Sequence, residues 1–355
     1  MPEATLLERL YDKATNYLVP LYTTFELTFR CNLTCSHCYV VEQETQEINT
    51  RTACDILDQL KEAGCIYLVF TGGEILLRKD FFEIAEYAKS IGFALILFTN
   101  GTLIEGRVAD RIQKLRPLSV EISLYGFEKT HDLLTQCHGA FARTLSAIQL
   151  LKERRVRVFA KAPVLKENFA EIWKLKKFVL DDLGVKWRGI GGGLLLCPKD
   201  DGGAEPLEHR LTDKELEVYL QGLGEEYRFL GKTLGPRLPG SPDNPLCSAG
   251  FASCDISPYG ELNPCNLMRL SGKNSLKDSS FREVWLNHPE MRQLRETRLR
   301  DRTDCMNCEL SPYCSTCPGV AQSECGKATA KLPEACRQAK ATKDLIDAAG
   351  ACHQH

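Results

Sequence analysis

Three cysteines stand close together, Cys31, Cys35 and Cys38, in the stretch FELTFRCNLTCSHCYV. Thiolates suit iron–sulfur clusters and zinc. Three thiolates leave one iron of a [4Fe–4S] cluster without a protein ligand, and an iron with an open position can take up a substrate or cofactor. Zinc is the competing reading, but it wants four ligands, and His37, between two of the cysteines, is sterically awkward as the fourth. The stretch FTGGEILLR adds Gly72, Gly73 and Glu74. Paired glycines let a backbone approach a ligand closely, and a carboxylate can meet an ammonium group. Further on, eight more cysteines follow in order: Cys247, Cys254, Cys265, Cys305, Cys308, Cys314, Cys317 and Cys336. The block CMNCELSPYCSTC has the spacing of metal-binding pairs, for which zinc is again the competitor.

These residues need elements to hold them. Six strand-like runs alternate with amphipathic stretches: YTTFELT (22–28), IYLVF (66–70), FALILFT (93–99), SVEISLY (119–125), VRVFAKAP (156–163) and VKWRGI (185–190). The stretch 80–92 places Phe81, Phe82, Ile84, Ala85 and Ala88 on one helical side, and 141–154 does the same with Leu145, Ala147, Ile148 and Leu151. Such alternation predicts an α/β fold with a parallel sheet. Six units suit a partial (βα)6 barrel better than a closed eight-unit one. Sites in such sheets lie beyond the C-terminal strand ends, where the motifs fall. Residues 193–245 read as a loop, a helix capped by Thr212 with Glu215, and a Pro/Gly-rich linker. The remainder is short on periodic structure and dense in cysteine, so metal is expected to hold it in place of an apolar core. The expected divisions are an N-terminal helix (1–20), the barrel (21–195), a bridging segment (196–245), the cysteine-rich domain (246–345) and a tail (346–355).

Composition excludes several classes. Of 355 residues, 43% are hydrophobic and 26% charged, which is ordinary for a folded soluble chain. A net charge of -2 gives no pull toward nucleic acid or anionic membrane. The arginines of MRQLRETRLRDR (291–302) are interleaved with acids and read as a solvated helix face. No signal peptide is evident, and the longest strongly apolar run, 91–98, is too short for a bilayer. A cytoplasmic chain is expected, so 17 cysteines point to metal or catalysis before disulfides. RGIGGGLLL (188–196) lacks a nucleotide-binding fingerprint.

CNLTCSHCY after the first strand, with GGE after the second, resembles the radical S-adenosylmethionine (SAM) enzymes. The resemblance implies a SAM-binding [4Fe–4S] cluster on Cys31, Cys35 and Cys38, with His37, Gly72, Gly73, Glu74, Asn100, Ser123 and Lys161 around SAM and the cavity. Read alone, Asn100 is also a turn residue, Ser123 a satisfied core hydroxyl and Lys161 a solvated cation; Asn168 follows shortly after. The later cysteines resemble the SPASM extension. By that resemblance Cys247, Cys254, Cys265 and Cys317 hold one auxiliary [4Fe–4S] cluster, and Cys305, Cys308, Cys314 and Cys336 a second, three clusters in all. The spacing from Cys314 to Cys317 is one residue shorter than the usual pattern, and Cys325 is an alternative to Cys317 or Cys336. Cys254 matches least firmly; without it, one auxiliary iron would be open to substrate. Cys54, Cys65, Cys137, Cys197 and Cys352 are left over, with Cys137 and Cys197 near strand ends facing the cavity.

The resemblance further implies reductive SAM cleavage and hydrogen abstraction from a residue of a ribosomally made peptide or protein. The product would be a crosslink or an oxidised residue. The alternative is a porphyrin-like small molecule, as in haem-type cofactor biosynthesis. A pure electron carrier would need no GGE segment. Expected partners are the peptide substrate and a reductant such as flavodoxin or ferredoxin; with about 20 residues before the first strand, either a small leader-binding protein supplies leader recognition or the substrate docks directly. No nucleic acid or membrane partner is expected.

Overall fold

The computed structural model describes residues 5–189, 195–229, 235–236 and 240–351. The run 190–194, part of the 235–245 linker and Cys352 lie outside the described residues. Helix α1 (Leu6–Asn16) comes first, capped by Thr5, whose amide donates to Glu8 at 2.7 Å. Strands and helices then alternate: β1 (Tyr22–Thr28), α2 (Thr50–Glu62), β2 (Tyr67–Gly72), α3 (Phe81–Ser90), β3 (Ala94–Thr99), α4 (Gly106–Leu115) and β4 (Ser119–Ser123). They continue with α5 (Glu128–Thr135), α6 (Ala140–Glu153), β5 (Val158–Lys161), α7 (Ile172–Lys177) and the two-residue β6 (Lys186–Trp187). The six strands pair in parallel in the order β6-β5-β4-β3-β2-β1. The partial α/β barrel expected from the alternation is present. Strand β2 runs two residues further than the apolar run suggested, into the GGE segment.

Alternation along the strands sorts the side chains. Phe25, Leu27, Phe70, Leu97 and Ile122 pack with Ile56 and Leu60 of α2 and Phe81 and Ile84 of α3. The intervening Thr24, Glu26, Phe98, Glu121 and Phe159 face the other side. That side is concave. The charges of Glu121 and Arg188 are felt at the Tyr22 hydroxyl, whose pKa burial pushes up to about 12. A flat sheet would hold β1 and β4 about 14 Å apart.

The cysteine-rich part departs from expectation. After α8 (Asp213–Phe229), whose Thr212–Glu215 capping box forms as predicted, come β7 (Ser253–Ile256) and β8 (Leu262–Asn263). Strand β7 pairs in parallel with β1, Tyr22 opposite Ser253, and β8 pairs antiparallel to β7. The sheet therefore has eight strands. Helices α9 (Phe281–Asn287) and α10 (Pro289–Glu296) bury Phe281, Trp285 and Met291 in the main core. The Trp285 indole donates to the Leu18 carbonyl at 2.6 Å. Residues 253–291 thus join the barrel by apolar burial as well, which corrects the expectation of a region held by metal alone. Arg295 is buried too, its guanidinium 4.4 Å over the Trp285 ring, so that part of the arginine-rich stretch is no solvated face. Only the last part is thin. There α11 (Pro318–Cys325) and α12 (Pro333–Ala351) share a small core of Val320, Ala321, Leu332 and Ala335. Among the described residues no helix is long and apolar enough to cross a membrane.

Candidate active site

Cys31, Cys35 and Cys38 lie on the loop that leaves β1, and the GGE segment grips the root of that loop. The Gly73 amide donates to the Thr28 carbonyl at 2.8 Å and the Glu74 amide to the Arg30 carbonyl at 2.9 Å. A Cβ at Gly72 would lie 2.0 Å from the Thr28 oxygen, and one at Gly73 2.3 Å from the Arg30 oxygen. What the paired glycines approach, before any ligand, is the chain that carries the cysteines. The far side of the loop is tied to α5, with Ser36 N donating to Leu134 O at 3.0 Å.

Glu74 is fully buried. Its carboxylate accepts from Thr99 Oγ1 at 2.8 Å, from the Asn100 amide at 2.8 Å and from the Leu76 amide at 3.1 Å. Burial raises its pKa while these bonds oppose the rise. The side chain therefore ties the ends of β2 and β3 together, which sequence reasoning did not foresee. Asn100 stands beside the first cysteine: its Nδ2 donates to Asn32 Oδ1 at 3.0 Å and points at Cys31 Sγ at 3.8 Å. Ser123 and Lys161 are register partners at the ends of β4 and β5. Lys161 is no solvated cation. Its Nζ lies 3.1 Å from the buried Glu121 and 3.5 Å from the Phe98 ring centroid. Arg188 approaches the other Glu121 oxygen at 3.3 Å. Asn168 is a fold residue, fully buried and bridging the Tyr125 and Pro163 carbonyls.

His37 turns its ring edge-on to Tyr125, centroids 4.5 Å apart, and burial pushes its pKa down to about 4. Tyr125 stacks on His131, whose Nδ1 accepts from the Tyr125 amide at 3.1 Å. Burial first, and then the neighbouring Cys35, push the pKa of the Tyr125 hydroxyl up. Tyr125 follows a strand end but carries no motif, so the sequence offered little to find it. Tyr39 was missed as well, although it directly follows Cys38. Its hydroxyl accepts from Asn266 Nδ2 at 2.6 Å, and Asn266 is the neighbour of Cys265. The first cysteine loop is thereby tied to the later group. On the same concave face Arg269 bridges Glu26 and Asp255, each at 2.9 Å, and Asp200 at 3.3 Å.

The later cysteines form two groups. In one, burial first and then the Cys317 charge raise the thiol pKa of Cys247, and burial followed by Cys247 and Cys317 raises that of Cys265. In the other, burial and then Cys336, Cys305 and Cys308 raise the thiol pKa of Cys314, and burial, with Cys305 and Cys308 behind it, raises that of Cys336. Cys254 joins neither. It lies on β7, fully buried, 3.3 Å from Thr23 Oγ1 and beside Cys65 in the main core. Its β7 neighbours Ser253 and Asp255 take the other face, because side chains alternate. The assignment of Cys254 to the first auxiliary group is thus corrected by strand register. Cys325 is exposed, its thiol toward the Lys331 carbonyl at 3.8 Å, and stands apart from both groups. Among the described residues no three His, Cys, Asp or Glu side chains converge as ligands of a single ion would. Zinc needs that convergence. A cubane is ligated at its corners, so its thiolates stand farther apart. An all-sulfur donor set without a converging imidazole fits iron–sulfur clusters.

Residues 25–179 match the radical SAM superfamily and residues 247–318 the SPASM iron–sulfur cluster-binding domain. The antilisterial bacteriocin subtilosin biosynthesis protein AlbA of Bacillus subtilis is 30% identical over 323 residues, covering 86% of this chain and 68% of AlbA. The chain is a radical SAM enzyme with a SPASM domain. Such an enzyme uses SAM and iron–sulfur clusters. A second relative of this SPASM enzyme is the AdoMet-dependent heme synthase of Oleidesulfovibrio alaskensis, 28% identical, covering 87% of this chain and 85% of the relative. The fold is also that of Streptococcus suis SuiB, solved bound to the precursor peptide SuiA. That match has a TM-score of 0.65 at 16% identity and covers 82% of this chain and 71% of SuiB.

Two expected outcomes follow from this geometry. Glu74→Ala leaves the Asn100 and Leu76 amides without their acceptor and lets the β3 end drift. SAM affinity, measured by anaerobic calorimetry, falls at least about tenfold, or ~1.4 kcal/mol, with iron per chain unchanged; wild-type affinity would show that the segment does not hold SAM. Cys305→Ala combined with Cys308→Ala removes two of four thiolates and lowers iron by about one cluster, four irons. Unchanged iron would end the assignment of that group.

Proposed function

We propose that this enzyme modifies a ribosomally synthesised peptide or protein, taking a hydrogen from one residue and leaving a crosslink or an oxidised side chain. In this reading Cys31, Cys35 and Cys38 hold the SAM-binding cluster within a barrel over about 21–195. The SPASM domain (246–345) holds two auxiliary clusters, three in total. Reductive cleavage of bound SAM supplies a 5′-deoxyadenosyl radical. The protein's own residues position SAM and the target C–H bond and exclude water. The backbone of Gly72 and Gly73, held by Glu74, together with Asn100, Ser123 and Lys161, forms the rim on which SAM would lie. His37, edge-on to Tyr125, braces the loop beside this rim. The proton and electron left after abstraction need acceptors. In this reading the Glu26–Asp255–Arg269 group would take the first and the auxiliary clusters the second. A flavodoxin or ferredoxin supplies the initiating electron, and a small leader-binding protein is a further candidate partner.

The observation that carries this reading is the pair of separate later cysteine groups, Cys247/Cys265/Cys317 and Cys305/Cys308/Cys314/Cys336. Twin auxiliary clusters are the arrangement that the resemblance links to peptide maturation. AlbA and the SuiA-bound SuiB support it by similarity. The porphyrin reading is favoured by the heme synthase relative and by one feature of the cavity. Two cations, Lys161 and Arg188, face the single carboxylate of Glu121. The surplus positive charge would suit a substrate carboxylate.

The test is anaerobic. Reconstituted protein with SAM and reductant is given, in parallel, a short precursor peptide encoded beside it and an iron porphyrin bearing propionates. Substrate-dependent 5′-deoxyadenosine with loss of a hydrogen pair from the peptide is the expected result. Loss of carbon dioxide from the porphyrin with an inert peptide would replace this reading by the second.

A further inference from the structure

We propose that Cys197 is the fourth thiolate of the auxiliary cluster held by Cys247, Cys265 and Cys317. This rests on the reading of those three residues as ligands of an iron–sulfur cluster. With Cys254 turned into the main core, the group has three thiols where a closed cubane takes four. The bridging segment supplies a candidate.

Leu195 and Cys197 pack against the small core of Val320, Ala321, Leu332 and Ala335, the same core against which Cys317, Leu267 beside Cys265, and Cys314 of the other group pack. Leu196, between them, turns the opposite way and packs with Leu134 and Leu165. Extended backbone gives this alternation, and it aims position 197 at the SPASM side. Two clamps hold the segment there. Arg210 donates to the Leu196 carbonyl at 2.6 Å and pairs with Glu324 of α11, the helix whose N-cap is Cys317. The Asp200 amide donates to the Tyr39 carbonyl at 3.0 Å, and the Asp200 carboxylate reaches Arg269. Tyr39 also contacts Asn266, beside Cys265. The half-buried Cys197 thiol is therefore fixed among the chain segments that carry the group, within electrostatic reach of Asp200, Cys317 and Cys38. Ligation would release the thiol proton, as for any cysteine ligand. It would also tie the bridging segment to residues 50 to 120 positions further along the chain, closing long loops.

The experiment uses full-length protein carrying Cys31→Ala, Cys35→Ala and Cys38→Ala, reconstituted anaerobically, so that only auxiliary clusters contribute. About eight irons per chain are expected. A chain without iron would overturn the cluster reading itself. Mild ferricyanide oxidation then reports the ligand count by electron paramagnetic resonance, because an iron lacking a thiolate leaves and a [3Fe–4S] signal appears. No such signal is expected in this parent. Adding Cys197→Ala should produce it, at about one spin per chain, while adding Cys254→Ala or Cys325→Ala should not. A [3Fe–4S] signal already in the parent, or one that appears with Cys254→Ala or Cys325→Ala and not with Cys197→Ala, would overturn the assignment. The parent measurement needs no substitution at position 197, so a Cys197→Ala chain that fails to fold leaves the proposal open to refutation.

Discussion

Replacing Cys31, Cys35 and Cys38 together by alanine should reduce 5′-deoxyadenosine formation to the uncatalysed background while about eight irons per chain remain. The argument is one of connectivity. These cysteines sit on a loop fixed at one root by Gly73 and Glu74 and at the other by Leu134. None of these bonds is made by a cysteine of the later groups. The loop meets the later region through bonds that the substitutions leave in place, among them Tyr39 with Asn266 and the Ile48 amide with the Pro258 carbonyl. Losing the first cluster therefore removes the chemistry without removing its neighbours. Iron analysis and chromatography of the SAM reaction give both quantities. Deoxyadenosine formed by the triple variant at the wild-type rate would refute the role of the loop.

Gly72→Ala should be the most damaging single substitution outside the cysteines. Gly72 has φ +136°, a conformation that L side chains rarely adopt, and its Cβ would sit 2.0 Å from the Thr28 carbonyl oxygen. That neighbour is backbone and cannot rotate away. Conformational strain and overpacking together cost about 4 kcal/mol. Relief would require β1 and β2 to separate where they pair, Thr28 opposite Gly72, and there the cysteine loop begins. The expected result is a lower urea midpoint and loss of about four irons, the first cluster, from the folded remainder. Stability and iron content equal to wild type would show that the strand ends are slack.

Much of the fold was legible because its signals are local. The apolar run 22–28 became β1 residue for residue, and the helices over 80–92 and 141–154 formed with the apolar faces expected. Strand β6 is two residues long, Lys186 and Trp187 facing Phe159 and Ala160 of β5, and residue 190 of the expected run lies outside the described residues. Within the site, the positions of Asn100, Ser123 and Lys161 at strand ends were readable, but their partners were not. Lys161 meets Glu121 two residues back on a neighbouring strand, and Glu74 meets Thr99 and Asn100 across β3. Such contacts depend on register, which a single strand does not state.

The amino-acid sequence by itself determined the ligand chemistry and the kind of enzyme: thiolates in three clusters of spacing, paired glycines with a carboxylate, and six alternating units that set them at strand ends. Only the tertiary structure decided which cysteines meet. Strand β7 lies beside β1, more than two hundred residues away in the chain, and that pairing turns Cys254 into the core and leaves Asp255 on the concave face. The same folding brings Cys197 to the group around Cys317. Spacing along the chain limits which thiols are candidates, but a side chain's face is set by its strand's partner and register, and those are fixed only when distant segments pack.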